Sequence, residues 1–272
     1  MKVIETDRFE QVKMIRLGYS PIGSPLMSVW MYVLDGLVID TGQHHMAKAV
    51  KTLLSQEKMS RIALTHHHED HSGNAAMLSA AYAIPVLGHP LAAAKLKRGF
   101  AIRPYQYLVW GKAPAVDVLP LKGVIETERF ALLPVQTPGH SKDHLVFFEK
   151  QHGWLFTGDL YLGERIKYFR SDERLVDQIA SLKKVLQFEF DALFCAHNPC
   201  LTHGKSRIRN KLQFLEDFYG QVKLLAAKGF SERAVIKAMD PAKDRLIKRI
   251  TMGNVSFANM VRSAMASMAQ DS

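Results

Sequence analysis

Apolar and polar positions along the first part of the chain alternate as expected of short strands and helices. The apolar run at 27–36 (MSVWMYVLDG) ends in Asp-Gly and is followed at once by 37–40 (LVID). This predicts a β-hairpin, because Asp-Gly favours the tight turn that joins antiparallel strands. Residues 46–57 repeat apolar side chains at helical spacing, and 61–65 (RIALT) has the composition of a short buried strand. The chain therefore opens with strands, turns and one helix.

The same pattern continues to about residue 203. Further helices are predicted near 73–82, 90–97 and 172–187, and further strands at 85–88, 130–137, 144–149, 153–157 and 191–196. Strands that alternate with helices in this way predict an α/β fold.

Residues 99–120 interrupt the pattern. They have no clear period and contain several prolines and aromatic residues, which are Pro104, Pro114, Pro120, Phe100, Tyr105, Tyr107 and Trp110. We predict a long loop here. In a compact enzyme a loop of this length commonly serves as a lid or binding loop, and sometimes is only an insertion.

After residue 203 the apolar positions follow a helical period. One helical face is predicted from Ile208, Leu212, Leu215, Tyr219, Val222 and Leu225. Gly229 would end this helix and Ser231 would begin the next. We therefore divide the chain into an α/β domain at 1–203 and a C-terminal helical extension at 204–272. The Met-rich segment 252–270 would pack on the first domain or on another subunit.

Length and composition are those of an ordinary globular protein, with 272 residues, 47% apolar and 23% charged. No apolar stretch is long enough for a membrane span, and the N-terminus lacks the apolar block of a signal peptide. Two cysteines, Cys195 and Cys200, are too few for a disulfide framework and suit a reducing compartment. We expect a soluble, cytoplasmic protein that does not engage a membrane.

The net charge of +10 is concentrated near the C-terminus, where residues 201–272 carry 13 Lys and Arg against 6 Asp and Glu. Such an excess can attract anionic partners, nucleic acid included. It is also usual on the solvent faces of amphipathic helices, and we favour this second interpretation.

The chemistry of the chain is concentrated in the segment 65–73 (THHHEDHSG). His66, His68, Asp70 and His71 fit the pattern H-x-H-x-D-H. Alternate residues of an extended segment point the same way, so His66 and His68 can face one metal ion, while Asp70 and His71 face a second ion close by. His67 should point away. Imidazole and carboxylate suit zinc, iron or manganese.

Three further candidate ligands follow predicted strands elsewhere in the chain. His140 lies in QTPGHSKDH, Asp159 in LFTGDLY, and His197 in LFCAHNP. Ligands gathered at strand ends from distant segments are typical of sites in α/β enzymes. We also expect His144, four residues after His140, to form a hydrogen bond behind the ligands.

In combination these motifs resemble the metallo-β-lactamase superfamily, over residues from about 10 to 203. The resemblance implies an αββα sandwich with the metals at one edge between the two sheets, here followed by the C-terminal helical extension. By motif, His66, His68 and His140 would bind the first metal, Asp70, His71 and His197 the second, and Asp159 both. Asp40 in VIDTG matches the family aspartate that orients the ligands from behind.

The resemblance implies a hydrolase. Two divalent ions, expected to be zinc with iron or manganese as alternatives, would lower the pKa of a bridging water and supply hydroxide as nucleophile. Asp70 would orient this nucleophile as the catalytic carboxylate. We expect cleavage of an ester, thioester or lactone-type bond in a small, anionic substrate. Its binding residues are not assigned, although candidates near the ligand segments are Lys142, Tyr161, Arg165 and Lys167, with Tyr105, Tyr107 and Trp110 as a roof.

The order of the ligands resembles glyoxalase II and its relatives more than true β-lactamases, which typically have cysteine where Asp159 stands. Glyoxalase II also has a C-terminal helical extension. The stretch after Asp159, LYLGERIKYFR, differs from that enzyme's loop and does not favour glutathione thioesters. One alternative is a lactamase-like endoribonuclease, which shares the TPGHS-x-DH pattern and a helical tail. Another is a mononuclear iron oxidoreductase of the persulfide dioxygenase type. The substrate, the native metal and the oligomeric state stay open.

Overall fold

The computed structural model describes residues 1–239 and 244–268. In these residues two β-sheets face each other through apolar sides, and helices cover the outer face of each sheet. The αββα sandwich implied by the sequence resemblance is thereby confirmed.

The first sheet combines an antiparallel meander with parallel strands. In spatial order it contains β1 (Lys2–Phe9), β2 (Val12–Tyr19), β3 (Ser28–Leu34), β4 (Leu37–Ile39), β5 (Arg61–Ala63), β6 (Val86–Gly88) and β7 (Val118–Pro120). Strands β1 to β4 are antiparallel, and β4 to β7 are parallel. The predicted Asp-Gly hairpin joins β3 and β4, with Asp35 and Gly36 both at positive φ (49° and 80°).

The second sheet lies opposite the first. It contains β8 (Ile125–Glu126), β9 (Ala131–Gln136), β10 (Leu145–Glu149), β11 (Trp154–Gly158) and β13 (Ala192–Cys195), in the spatial order β13-β11-β10-β9-β8. A separate antiparallel ribbon pairs β12 (Phe169–Arg170) with β14 (Val255–Ser256). The ribbon ties the C-terminal extension to the rest of the chain.

The helices are α1 (Ala47–Leu53), α2 (Glu69–Ser72), α3 (Ala75–Tyr82), α4 (Pro90–Arg98), α5 (Pro104–Val109), α6 (Leu175–Val185), α7 (Gly204–Ala227), α8 (Glu232–Met239), α9 (Arg245–Ile250) and α10 (Phe257–Met268), with a 3-10 turn at His44–Met46. The helices predicted near 73–82, 90–97 and 172–187 are confirmed, with differences of a few residues at their ends. Among the helices of the described residues, none is long and apolar enough to cross a membrane.

The segment 99–120 is more ordered than the sequence predicts. The expectation of a loop is wrong for α5 and for β7, the edge strand of the first sheet. Pro104 occupies the first turn of α5, where its missing N–H costs nothing, and the Arg103 N–H donates to the side chain of Gln106 (2.9 Å). A helix of six residues is too short to leave a periodic signal in the sequence.

The core between the sheets is aromatic. Phe147, Trp154, Phe156 and Phe194 are almost fully buried there, and the Phe156 and Phe194 rings stack at a centroid distance of 4.6 Å. Burial of such side chains contributes about 1.5–3 kcal/mol each, so this layer stabilises the packing of one sheet on the other.

The C-terminal extension packs against the outer face of the second sheet. Ile208 and Leu215 of α7 and Val261 of α10 belong to the same buried apolar cluster as Val146 and Leu155 of the sheet. The Met-rich segment thus packs on the first domain as far as Met268, and its residues 269–270 lie outside the described residues. The division into two domains at residue 203 stays a prediction.

Candidate metal centre

The predicted ligands meet at one edge of the sandwich, because each follows a strand whose end lies there. His66 and His68 follow β5, and α2 then presents Asp70 and His71. The other three follow β9, β11 and β13; they are His140, Asp159 and His197. Their side chains form two adjacent groups of potential ligands, each with ligand atoms within 4.8 Å of one another.

The first group consists of three buried imidazoles. His68 Nδ1 lies 2.8 Å from His66 Nε2 and 3.0 Å from His140 Nε2. The second group contains Asp70, His71, Asp159 and His197. Here His197 Nε2 lies 3.3 Å from Asp70 Oδ2, and His71 Nε2 lies 3.4 Å from Asp159 Oδ1.

Asp159 lies between the two groups. Its Oδ1 faces His71 and His197, whereas its Oδ2 lies 3.2 Å from His140 Nε2. The carboxylate therefore lies within reach of both groups, and the allocation of ligands to two metals stays a prediction.

The donor set fits divalent metal ions. His68 Nδ1 lies within about 3 Å of a nitrogen of each of the two other rings. If all three nitrogens present lone pairs, no proton lies between them to form a hydrogen bond, so a cation is needed to satisfy them. In the second group the buried Nε2 of His71 and Oδ1 of Asp159 have no hydrogen-bond partner among the described residues. Buried polar atoms are normally paired, so these atoms indicate a cation.

Two ligand histidines are oriented from behind through Nδ1. His71 Nδ1 lies 2.7 Å from Asp40 Oδ2, and Asp40 in turn accepts hydrogen bonds from the N–H and hydroxyl of Thr65, both at 2.8 Å. His197 Nδ1 donates to the carbonyl of Ser28 (2.7 Å). Both contacts place the proton on Nδ1 and turn the Nε2 lone pair toward the metal site. Asp40 thus lies where the sequence predicts.

His144 supports Asp159 rather than facing a metal group. Its Nε2 accepts a hydrogen bond from the main-chain N–H of Asp159 (3.1 Å), and its Nδ1 lies 2.9 Å from the Thr137 hydroxyl. Burial, reinforced by His140, lowers the pKa of His144 to about 3, which keeps the ring neutral and able to accept this bond. The geometry agrees with the role predicted for His144.

His67 points away from both groups, as expected. Its ring and its main-chain N–H contact Asp143 at 2.9 Å, and Lys95 Nζ lies 2.5 Å from its Nε2. Asp143 was not singled out from the sequence, although it stands in the same QTPGHSKDH motif. Through this contact the motif of His140 is attached to the segment of His66 and His68.

Glu173 is a second residue that sequence reasoning missed. It is buried, and its Oε1 lies 3.0 Å from His140 Nδ1. Its other oxygen accepts a hydrogen bond from Gln178 Nε2 (2.9 Å). An acidic residue near the start of the predicted helix 172–187 was the available signal, but only the packing of α6 shows what it contacts.

The pKa values of several candidate ligands are shifted by burial and by neighbouring charges. Burial lowers the pKa of His66 and of His68 well below the usual histidine value, so these ligands are neutral. Burial alone would raise the pKa of Asp159, but His197, His71 and His140 hold it well below the usual range. Asp159 is therefore an anion, and its charge in turn raises the pKa of His71, His140 and His197.

Helix α5 covers the metal edge. Trp110, at its C-terminal end, is buried with its ring centroid 6.0 Å from that of His197, and Gln106 donates to the buried Glu69 carboxylate (2.7 Å). The Tyr105 hydroxyl accepts from Asn254 Nδ2 of the extension (2.6 Å). Of the predicted roof residues, Tyr107 is exposed and its carbonyl contacts the ring of His45.

The substrate-binding candidates predicted from the sequence differ in exposure. Tyr161 is buried in the core beside Cys200, whereas Lys142, Arg165 and Lys167 are exposed on the surface. Arg170, which was not named, is largely buried; its Nε lies 3.2 Å from Asp172 Oδ1, and its charge acts with burial to lower the pKa of His68. Its charge therefore acts on the first group.

Fold and site together define a metal-binding α/β sandwich with a ligand set of histidine and aspartate at the edge between the sheets. The family model of the Metallo-beta-lactamase superfamily matches residues 25–197, and the chain belongs to this superfamily.

Known proteins of several kinds are similar to it. An atrochrysone carboxyl ACP thioesterase of Cryptosporiopsis sp. (strain 8999) is 25% identical over 239 residues, which are 84% of this chain and 63% of that protein. A hydroxyacylglutathione hydrolase of Hahella chejuensis is 29% identical over 176 residues, 62% of this chain and 59% of that protein. The chain thus spans about three fifths of the length of these relatives. The second relative confirms the predicted resemblance to glyoxalase II.

The fold is also found in a solved structure. A metallo-beta-lactamase family protein of Thermus thermophilus superposes with a TM-score of 0.67 over 97% of this chain and 94% of the other, at 19% sequence identity. At this identity the likeness supports the fold alone. It extends through the C-terminal helices as well as the sandwich.

Proposed function

We propose that this protein is a dinuclear metal-dependent hydrolase that cleaves a thioester, or a related ester or lactone, in a small anionic substrate. The observation that carries the proposal is the pair of adjacent buried ligand groups with the Asp159 carboxylate between them. Divalent ions bound there would lower the pKa of a shared water toward neutrality and polarise the scissile carbonyl.

The residues of the chain divide the remaining work. His66, His68 and His140 would hold one ion, Asp70, His71 and His197 would hold the other, and Asp159 would serve both. The Asp70 carboxylate faces the second group and would orient the attacking water. Gln106 on α5 and Trp110, which follows the helix, would cover the edge and limit access of bulk water to the reacting bond.

A thioester is favoured as substrate because two similar proteins carry the names thioesterase and hydroxyacylglutathione hydrolase. We propose that Arg170 meets an anionic group of the substrate, since it is a largely buried cation near the first ligand group. Zinc stays the expected metal because of the histidine and aspartate donors. A cytoplasmic location stays part of the proposal and rests on the sequence.

The proposal is tested by elemental analysis of protein purified without added metal, beside hydrolysis of thioesters, esters, lactones and phosphodiesters. Two ions per chain and thioester turnover that is lost in His66→Ala would support it. The matched control is His203→Asn, because His203 is exposed and lies outside the site, and asparagine tolerates its positive φ of 59°.

The other outcomes identify the alternatives. One iron per chain without hydrolysis would contradict the proposal and favour the iron oxidoreductase. Cleavage confined to phosphodiesters would contradict the substrate assignment and favour the endoribonuclease.

A further inference from the structure

We propose that Glu173 is a positioning residue for His140, and that the C-terminal extension holds Glu173 in place through Ser263 of α10. The inference rests on the proposed metal centre, because it assigns the support of one of its ligands. It gives the extension a part in binding the first metal.

The contact of Glu173 with His140 is buried and charged. Oε1 of Glu173 lies 3.0 Å from His140 Nδ1, while Nε2 of the same ring faces His68 and Asp159. His140 Nδ1 has no hydrogen-bond partner of good geometry among the described residues, so its contact with the carboxylate acts through charge. A carboxylate behind a ligand histidine fixes the ring and raises the basicity of the coordinating nitrogen.

The Glu173 carboxylate has little freedom to move. Its Oε2 accepts a hydrogen bond from Gln178 Nε2, one turn into α6 (2.9 Å). The main-chain N–H of Arg174 donates to the carbonyl of Gly139, directly before His140, at 2.8 Å. The Ser181 hydroxyl donates to the carbonyl of Pro138 (2.7 Å). The start of α6 and the loop of His140 therefore behave as one unit.

The loop of His140 passes very close to α6 at Gly139. Its φ is 134°, and a Cβ at this position would lie 2.5 Å from the main-chain nitrogen and Cγ of Gln178. Only glycine fits between the loop and α6, so the loop of His140 follows any displacement of α6.

Ser263 connects this unit to the extension. Its hydroxyl accepts a hydrogen bond from the main-chain N–H of Leu175 (2.8 Å) and donates to the carbonyl of Glu173 (2.9 Å). The side chain thus spans the residue before and the residue after Arg174, at the beginning of α6. By accepting from Leu175 it satisfies a main-chain N–H that the first turn of a helix leaves unpaired.

Helix α10 is itself firmly attached to the domain. Met260, Val261 and Ala264 are fully buried in the cluster shared with the second sheet, and Asn259 Nδ2 donates to the carbonyl of Phe169 in β12 (3.1 Å). A path of direct contacts therefore runs from the buried face of α10 through Ser263 and Glu173 to His140.

The test compares Glu173→Gln, Glu173→Ala and Ser263→Ala in the full chain. Metal affinity is measured by competition with a chromophoric chelator. Cadmium NMR separates the two sites, because three imidazoles with one carboxylate and two imidazoles with two carboxylates give different shifts. Ser267→Ala is the control, since the Ser267 hydroxyl donates within α10, to the Ser263 carbonyl at 2.9 Å. Urea unfolding of the metal-free proteins shows whether each variant folds.

We expect Glu173→Gln to weaken the first site about 10-fold and Glu173→Ala up to about 100-fold, with the second site unchanged. Ser263→Ala should weaken the first site several-fold, and Ser267→Ala should not. This site-selective loss supports the inference even if the chain hydrolyses no substrate of the panel. Wild-type affinity in Glu173→Gln, or equal loss at both sites with reduced stability, would overturn it. A wild-type chain that binds no metal would overturn both this inference and the proposed function.

Discussion

Lys211 provides the sharpest test of the physical reasoning, because it is a lysine buried completely beneath the site. It lies on α7, and its Nζ donates to the carbonyl of Leu160, the residue after Asp159 (2.6 Å). Burial lowers the pKa of Lys211 to about 8, although Glu173, Cys195 and Asp159 act in the opposite direction. The perturbation is Lys211→Met, which keeps the length of the side chain and removes its charge.

The sign and size of the effect follow from the two pKa values. In the unfolded chain the lysine has a pKa near 10.5, so between about pH 8 and 10.5 the unfolded state binds more protons than the folded state. The free energy of unfolding therefore rises with pH in this window. Between pH 7 and pH 9.5 the rise contributed by Lys211 is about 2 kcal/mol.

The assay is urea unfolding of the metal-free proteins at these two pH values. The quantity to compare is the change in unfolding free energy with pH, because contributions of other groups are shared by wild type and variant. Lys211→Met should lack about 2 kcal/mol of the rise seen in wild type. Lys184→Met is the control: it removes an exposed lysine that also bonds a main-chain carbonyl, that of Gln136 (2.8 Å), and leaves Lys211 in place.

Equal pH dependence in wild type and Lys211→Met would refute the reasoning, since it would mean that the buried lysine keeps an ordinary pKa. If the unfolding free energy rose less with pH in wild type than in Lys211→Met, the predicted direction of the pKa shift of Lys211 would be wrong. At pH 7 itself the variant should change stability little, because loss of a buried charge offsets the unpaired Leu160 carbonyl, which costs about 1–3 kcal/mol.

Three further predictions concern the site. Asp40→Ala should weaken metal binding at the second ligand group about 10- to 100-fold in chelator competition, because His71 Nδ1 loses its partner at 2.7 Å; unchanged affinity would contradict this. Gly158→Ala should lower the urea midpoint, since its Cβ would lie 2.8 Å from the Thr65 side chain at a φ of 47°, whereas Gly163→Ala, with open space around it, should not. Removal of metal with EDTA should lower the melting temperature and abolish hydrolysis, both restored by added zinc; activity that persists in EDTA would exclude the proposed mechanism.

The candidate ligands were predictable because local sequence determines them. Each ligand segment follows a short apolar run and then a turn, and strand ends in an α/β fold gather at a common edge. The same holds for the Asp35-Gly36 hairpin, where two residues at positive φ meet the requirement of the turn. In these places the local pattern and the tertiary structure impose the same constraint.

The elements that were missed depend on distant contacts. Strand β1 is at the edge of its sheet and exposed along most of its length, so no alternation marks it. Helix α5 is held by bonds from Gln106 to Glu69 and from Asn254 to Tyr105, partners that the sequence alone does not join. Glu173 is far along the chain from His140, and only the packing of α6 brings the two together.

Polar contacts of the extension reach the surroundings of the site at three points. Asn254 bonds Tyr105 next to the roof, Lys211 bonds the carbonyl after Asp159, and Ser263 bonds the main chain on either side of Arg174, next to Glu173. A segment that served only to cover the second sheet would need apolar contacts there and no polar bonds at these points. Among the described residues the extension supplies no candidate ligand, and its polar bonds reach the segments that carry the ligands. The sequence pattern changes clearly after residue 203, but contacts across this boundary link the following helices to the segments around the site.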